Sequence, residues 1–229
     1  MSGVVLQDLQ ESDLRELAEG NWRAFPTFFP PMEADPLPDH EVRLRRCIAR
    51  LKILLNSPTT FNRKATIDGN LVGIALWNKP GAPVHNLKRR IIQDMDGLTK
   101  PLNEDENWLG LTSNWEKTWS TWDHKRAELM QGKPHWYLAP IWVLPEYQNR
   151  GIAGKLLQAS GKYHSQTLPL TKVSVHSPRQ EVIDMADSTS PSTPIYLEAS
   201  KDGAPIYARR GFQAVGDSEY VEMIRWGKK

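Results

Sequence analysis

The chain has 229 residues, of which 39% are hydrophobic and 24% charged, and its net charge is +2. These are the proportions of a globular protein long enough to bury a substantial core, and so even a balance gives no sign of a nucleic-acid or anionic-membrane partner. There is no apolar run of membrane-span length and no secretion-signal pattern at Met1-Ser2-Gly3-Val4, and the single Cys47 excludes an internal disulfide, so a cytoplasmic protein is expected.

Val4-Val5-Leu6 reads as a first strand. Ser12 or Asp13 then caps a helix that carries Leu14, Leu17 and Ala18 on one face. The Pro-containing run Phe25 to Pro31 ends it. Asp39 caps a second helix, with Val42, Cys47, Ile48, Leu51, Leu54 and Leu55 turned inward. Arg43, Arg45, Arg46, Arg50 and Lys52 are expected on its solvated outer face. Thr60 to Ile67 and Leu71 to Trp77 read as strands joined at the turn signal Asp68-Gly69-Asn70, which makes a hairpin.

Residues 84–134 read as helical and inserted. Trp115, Trp119 and Trp122 fall at i, i+4 and i+7 on one helix face, with Trp108 upstream. Such a stripe packs the helix onto a sheet, walls an aromatic pocket, or does both.

Residues 136–143 form an apolar strand that stops at Pro145. A turn follows, and a helix opens at Gly151, Ala153 and Gly154 and runs to about 165. A helix start lined by small residues presents unpaired backbone N–H groups and a positive dipole end, which suits a phosphate. A P-loop needs Gly where Asn149 stands and Ser or Thr where Leu156 stands, and Gly151 to Gly154 does not supply Gly-x-Gly-x-x-Gly. Further on, 171–176 is strand or extended loop, 181–186 helix and 187–194 loop. Strand 195–199, helix 204–210 and two closing strands near 212–217 and 220–226 complete the chain. The six histidines are scattered without ligand spacing, so no metal is expected, and there is no Gly-x-Ser-x-Gly elbow.

The pattern Gln148-x-x-Gly151-x-Ala153, preceded by Val143-x-Pro145-x-Tyr147, resembles the acetyl-coenzyme A site of the GNAT N-acetyltransferases. A second block is similar to a later segment of that family: Ile195-Tyr196-Leu197-Glu198-Ala199-Ser200, then Gly203, Tyr207, Gly211 and Phe212. The wording of that block resembles fungal small-molecule members, and the likeness covers roughly residues 136–226. The resemblance implies an α/β GNAT fold, with a mixed, mostly antiparallel twisted sheet flanked by helices. It implies one N-acetyltransferase domain over 1–229, with a helical insertion at 79–135 and a second insertion at 168–193.

It further implies an acetyl-coenzyme A-dependent N-acetyltransferase that acts on a primary amine of a small molecule by direct attack in a ternary complex. The alternatives are a protein lysine or N-terminal acetyltransferase, or a coenzyme A-binding module without turnover. The pyrophosphate would lie on the turn Gln148, Asn149, Arg150, Gly151, Ile152, Ala153, Gly154 and Lys155. The pantetheine arm would pair with a splayed strand edge at Trp142, Val143 and Leu144, with the Val143 amide as oxyanion donor. Tyr207 takes the place of the general acid, and Ser200 stands where many relatives have an Asn that touches the cofactor. Glu198 and Tyr137 are both candidates for general base, with Tyr137 expected on the Ala139, Ile141 and Val143 side of its strand. His135 and His176 are candidate relays. Tyr137 and Ala139 stand where the arylalkylamine branch offers two His, which disfavours that branch. No nucleic acid or membrane is implied, and the assembly is a monomer or homodimer.

Overall fold

In a computed structural model the described residues are 3–86, 88–89, 91–93, 99–101, 106–157, 183, 186–187, 192–216 and 218–227. Most of the 168–193 segment, the helix beyond Leu157, His164 and His176 lie outside them.

The first strand, β1, spans Val5–Asp8. Two helices follow, α1 (Leu14–Ala24) and α2 (His40–Asn56). Asp39 caps α2 through its side chain, which accepts from the amides of Glu41 and Val42. β2 (Thr60–Ile67) and β3 (Asn70–Asn78) form the expected hairpin, with Asp68 and Gly69 both at positive φ in its turn. The segment before the central strand differs from the expected helical insertion. It holds a short antiparallel pair, β4 (Ile91–Gln93) and β5 (Thr99–Pro101), before its one long helix, α3 (Ser113–Met130).

β6 (Trp136–Val143), α4 (Ile152–Leu157), β7 (Ile195–Ala199), α5 (Ala204–Ala208), β8 (Gln213–Ala214) and β9 (Val221–Arg225) complete the described elements. Seven strands make one sheet in the order β1-β2-β3-β6-β7-β9-β8. Every neighbouring pair is antiparallel except β6 with β7.

Both sheet faces are covered, as the nearly continuous apolar run of β3 requires. On one face Leu14, Leu17, Leu44 and Leu51 of α1 and α2 pack on Ile74, Leu76 and Trp142. On the other, Ile152, Leu156 and Leu157 of α4 pack with Val72, Trp77, Leu138 and Val143. The tryptophan stripe of α3 does not pack on the sheet. Trp108, Trp115 and Trp119 form a separate cluster with Met32, Phe28, Phe29 and Ile53, against α2 and the α1–α2 connection.

A bulge in β6 shapes everything downstream. Trp77 pairs with Leu138 and Ala75 with Ile141, so Ala139 and Pro140 together oppose Leu76. The extra residue reverses the alternation of side chains. Trp136 and Leu138 before it share a core with Val143 after it. Tyr137 therefore does not lie on the Ile141 and Val143 side, as the strand period alone implied. It packs on the opposite face with Met130, Tyr196 and Ile224, where only Ala139 accompanies it.

Candidate active site

The parallel pairing of β6 with β7 stops at Leu138 and Leu197. Beyond it β7 stays paired to β9 up to Ala199, and β6 stays paired to β3 up to Val143, so a gap opens between β6 and β7. The Leu144 amide donates to the Val72 carbonyl at 2.9 Å. In an antiparallel ladder that bond turns the N–H and C=O of the preceding residue away from β3, so Val143 faces the gap. The Gln148 side-chain amide donates to the Val143 carbonyl at 3.1 Å and ties the turn to the strand end. Leu144 spends its amide on β3, and the Trp142 side chain points into the α1–α2 face. Of the three residues expected along the open edge, Val143 is the one whose backbone meets it.

The turn after β6 is built from left-handed backbone. Asn149 has φ 59° and Gly151 has φ 75°, a conformation natural to Gly and tolerated by Asn. The Lys155 amide bonds the Gly151 carbonyl at 3.1 Å, which starts α4 and leaves the amides of Ile152, Ala153 and Gly154 without intrahelical partners. Arg150 and Lys155 are exposed. Arg150 donates to the Glu146 carbonyl and lies 5.2 Å above the Tyr147 ring.

Sequence reasoning missed Arg210. Its Nη1 donates to the Ile206 carbonyl at 3.0 Å, and its Nη2 stands 2.4 Å from where a Cβ on Gly154 would be. A cation thus lies against the helix start, and its charge also favours the ionised form of Tyr207. These amides, the two left-handed residues and Arg210 fit a pyrophosphate; the Val143 N–H, turned away from β3, fits an extended amide-bearing arm.

The gap leads into a cavity of about 150 Å³. Pro140, Ile141, Glu198, Ser200 and Tyr207 line it on the sheet side, and Trp108, Trp115, Trp119 and Trp122 face them. Tyr207 is buried beside Phe212, with ring centroids 5.7 Å apart, and burial raises its phenol well above the usual value. Ser200 lines the cavity, but its Oγ accepts from the Gly203 amide at 3.1 Å.

Glu198 is the titratable centre of the cavity. Burial lifts its carboxyl to about 7, against an opposing pull from the Arg126 guanidinium and from the hydroxyls of Tyr137 and Tyr196 beside it. Those hydroxyls and Glu198 Oε1 complete no hydrogen bond of good geometry, so the carboxyl keeps an acceptor in reserve. Tyr137 is buried, does not line the cavity, and is held far above its usual pKa, first by burial and then by Glu198.

Behind Tyr137 lies Arg126, its Cζ 3.6 Å above the ring, paired with Asp123 at 3.2 Å. Neither was singled out from the sequence, although Trp119, Asp123, Arg126 and Met130 keep helical spacing along the buried face of α3. His135 bonds the Lys133 carbonyl through Nδ1 at 2.7 Å and does not line the cavity. Arg50 corrects the expected solvated face of α2. It lines the cavity and donates to the Asn107 carbonyl, while Arg43 pairs with Glu33 and stacks on Trp22. Among the described residues no three His, Cys, Asp or Glu side chains are grouped to hold a metal, and no helix is long and apolar enough to cross a membrane.

The family model for the GNAT acetyltransferases matches residues 14–182. The chain therefore belongs to the GNAT acetyltransferase family. That match ends before Glu198 and Tyr207, whose standing rests on the geometry above. Among solved structures, the chain is similar to a protein of Corynebacterium glutamicum described as histone acetyltransferase HPA2 and related acetyltransferase. That likeness is 17% identity over 100% of this chain and 98% of that one, with a TM-score of 0.52. It is also similar to PH1933 of Pyrococcus horikoshii, at 13% identity over 99% and 100% of the two chains and a TM-score of 0.51. A search of curated protein sequences gave no significant match. Both structural likenesses concern the fold alone.

Proposed function

We propose that this chain is an acetyl-coenzyme A-dependent N-acetyltransferase whose acceptor is a primary amine of a small molecule. The observation that carries the reading is the aromatic-walled cavity that joins Ile141, Glu198 and Tyr207 to the gap beside β6. A concave apolar space of about 150 Å³ favours a small amine over an extended peptide. The chain acts as a single domain, with 79–135 as the insertion that supplies the acceptor wall. The likeness of the Ile195 to Ser200 block to fungal small-molecule members belongs to the same reading, as do a cytoplasmic setting and a monomer or homodimer.

Acetyl-coenzyme A supplies the acetyl group as a thioester. The turn Gln148 to Lys155, with Arg210 beside Gly154, holds its pyrophosphate, and Ser200 borders its path. The Val143 N–H faces the gap as donor to the oxygen that gains charge. Glu198, with a carboxyl near 7, takes a proton from the acceptor ammonium. Tyr137 acts as its neutral neighbour and leaves the base role to Glu198. Tyr207 keeps its proton at neutral pH and offers it to the departing sulfur.

The test is isothermal titration with acetyl-coenzyme A followed by a free-thiol assay across small amines and peptides. Binding in the micromolar range and thiol release with small amines is the expected result. Binding without release from any acceptor overturns the enzyme reading in favour of a coenzyme A-binding module, and release with peptides alone overturns the small-molecule acceptor.

A further inference from the structure

We propose that the acceptor is an alkyl amine that carries an aromatic ring and a carboxylate: its ring lies among the tryptophans, its amine meets Glu198, and its carboxylate is held by Lys88 and Arg50. This rests on the acetyltransferase reading of the same cavity.

The charges that line the cavity carry the inference. Glu33 is taken by Arg43, whose Nε and Nη2 bond both of its carboxylate oxygens at 2.9 and 2.5 Å. Glu198 is then the one lining carboxylate, among the described residues, left to meet an amine. Two cations line the same space. Lys88 Nζ lies 4.5 Å from the centroid of the Trp119 ring. The Arg50 guanidinium lies 5.9 Å from the Trp108 ring and 5.7 Å from the Trp115 ring. Among the described residues neither has a carboxylate within ion-pair distance, and Arg50 meets the Asn107 carbonyl and the Cys47 thiol. A guanidinium has five donors, so most remain for a ligand. The two cations border one pair of rings, Arg50 at Trp115 and Lys88 at Trp119, whose centroids lie 5.7 Å apart.

Burial lowers Lys88 to about 7, with Glu198 and then Cys47 pulling the other way. An entering carboxylate restores the charged form, and a charge-assisted hydrogen bond in such surroundings is strong. A polyamine fits poorly, since its second ammonium meets Lys88 and Arg50. The aromatic wall and a volume of about 150 Å³ suit one ring, for a cavity of that size holds benzene.

Two measurements separate this inference from the reading beneath it. In the first, tryptophan fluorescence of the whole chain is titrated with 3-phenylpropionate and with its neutral analogue 3-phenylpropanol. The carboxylate is expected to bind about tenfold tighter or more, and Lys88→Met and Arg50→Met are each expected to shrink that preference. Equal binding, or a preference untouched in both variants, overturns the proposal. The paired variants guard against one of them failing to fold. In the second, thiol release is followed with benzylamine and its meta- and para-carboxylates. A lower KM for a carboxylated amine, lost in Lys88→Met, supports the proposal. Equal KM values overturn it while leaving the acetyltransferase standing. No release from any amine, with the fluorescence preference intact, overturns the acetyltransferase reading and leaves the anion site.

Discussion

The Trp142 indole lies directly over Gly20: a Cβ on that glycine would stand 2.4 Å from the ring edge. The indole Nε1 donates to Asn21 Oδ1 at 2.7 Å, one residue along the same helix. This buried pair clamps α1 to the strand whose Val143 faces the gap. The ring is hydrogen-bonded and enclosed, so it has no room to yield. Gly20→Ala should therefore lower stability by about 1–3 kcal/mol despite the better helix propensity of Ala. Chemical denaturation of the two proteins measures it, and an unchanged or raised midpoint would show that Trp142 moves freely.

Glu198 gives a pH signature. The base must be ionised, so kcat/KM should rise with pH through about 7 and level off above it. Glu198→Gln should reduce kcat by about 10²-fold and remove that rising limb. Stability moves the other way. The folded chain holds this proton up to about 7 whereas an unfolded carboxyl releases it near 4.5, so the native state binds more protons across that window and loses stability as pH rises through it. Melting curves should show Glu198→Gln more stable than the parent at pH 8, with the gap closing toward pH 5. A gap that does not change with pH would mean the carboxyl titrates normally.

Tyr207 is buried, and its phenol stays protonated across the neutral range. Tyr207→Phe should lower kcat by roughly 10²-fold, with acetyl-coenzyme A affinity nearly unchanged and the rising limb of Glu198 preserved. Titration calorimetry and a pH series report the three quantities separately. Full turnover in the Phe variant removes the hydroxyl from the proton path.

At the cofactor turn, conformation and charge can be separated. A Cβ on Gly151 meets nothing within 4 Å, so an Ala there suffers only from φ 75°. Gly151→Ala should weaken acetyl-coenzyme A binding by up to about tenfold, from a left-handed penalty of roughly 1 kcal/mol. Gly151→Asp should weaken it further by setting a carboxylate beside the pyrophosphate. Arg210→Gln should raise Kd by about five- to tenfold and flatten its salt dependence. Equal Kd values for the Ala and Asp variants would place the phosphates away from this turn.

Several of these features could be read from the chain itself. β2, β6 and β7 match their expected spans to the residue: β6 and β7 are mostly apolar runs, and β2 is bounded by Ser57-Pro58 and Asp68-Gly69. The β6 bulge was also written there: Pro140 lies in a central strand, where a proline belongs at a bulge. Reading the strand with a uniform period of two placed Tyr137 on the wrong face. Arg50 was misread for a different reason. A charge on the outer stripe of a helix reads as solvated until another element covers it, and here the segment around Asn107 and Trp108 does so. Arg210 had no local signal at all, since its place against Gly154 depends on how the chain returns after β7. The short β4–β5 pair falls in a stretch without clear periodicity, where three described residues on each side pair.

The tryptophan cluster leans on the α1–α2 connection rather than on the sheet, through Phe28, Phe29 and Met32. The C-terminal half of α3, by contrast, does reach the sheet, through Met130 and Arg126 against Tyr137. Phe28, Trp122 and Tyr220 stand in mutual ring contact at 5.3–5.8 Å, and all three border both the inner cavity and an outer groove. Changes at the 25–32 loop, Trp119 and Trp122 can thus retune selectivity, whereas changes at Arg126 or Met130 reach Glu198 through Tyr137, so the interchangeable part is the aromatic tip and not the whole helix.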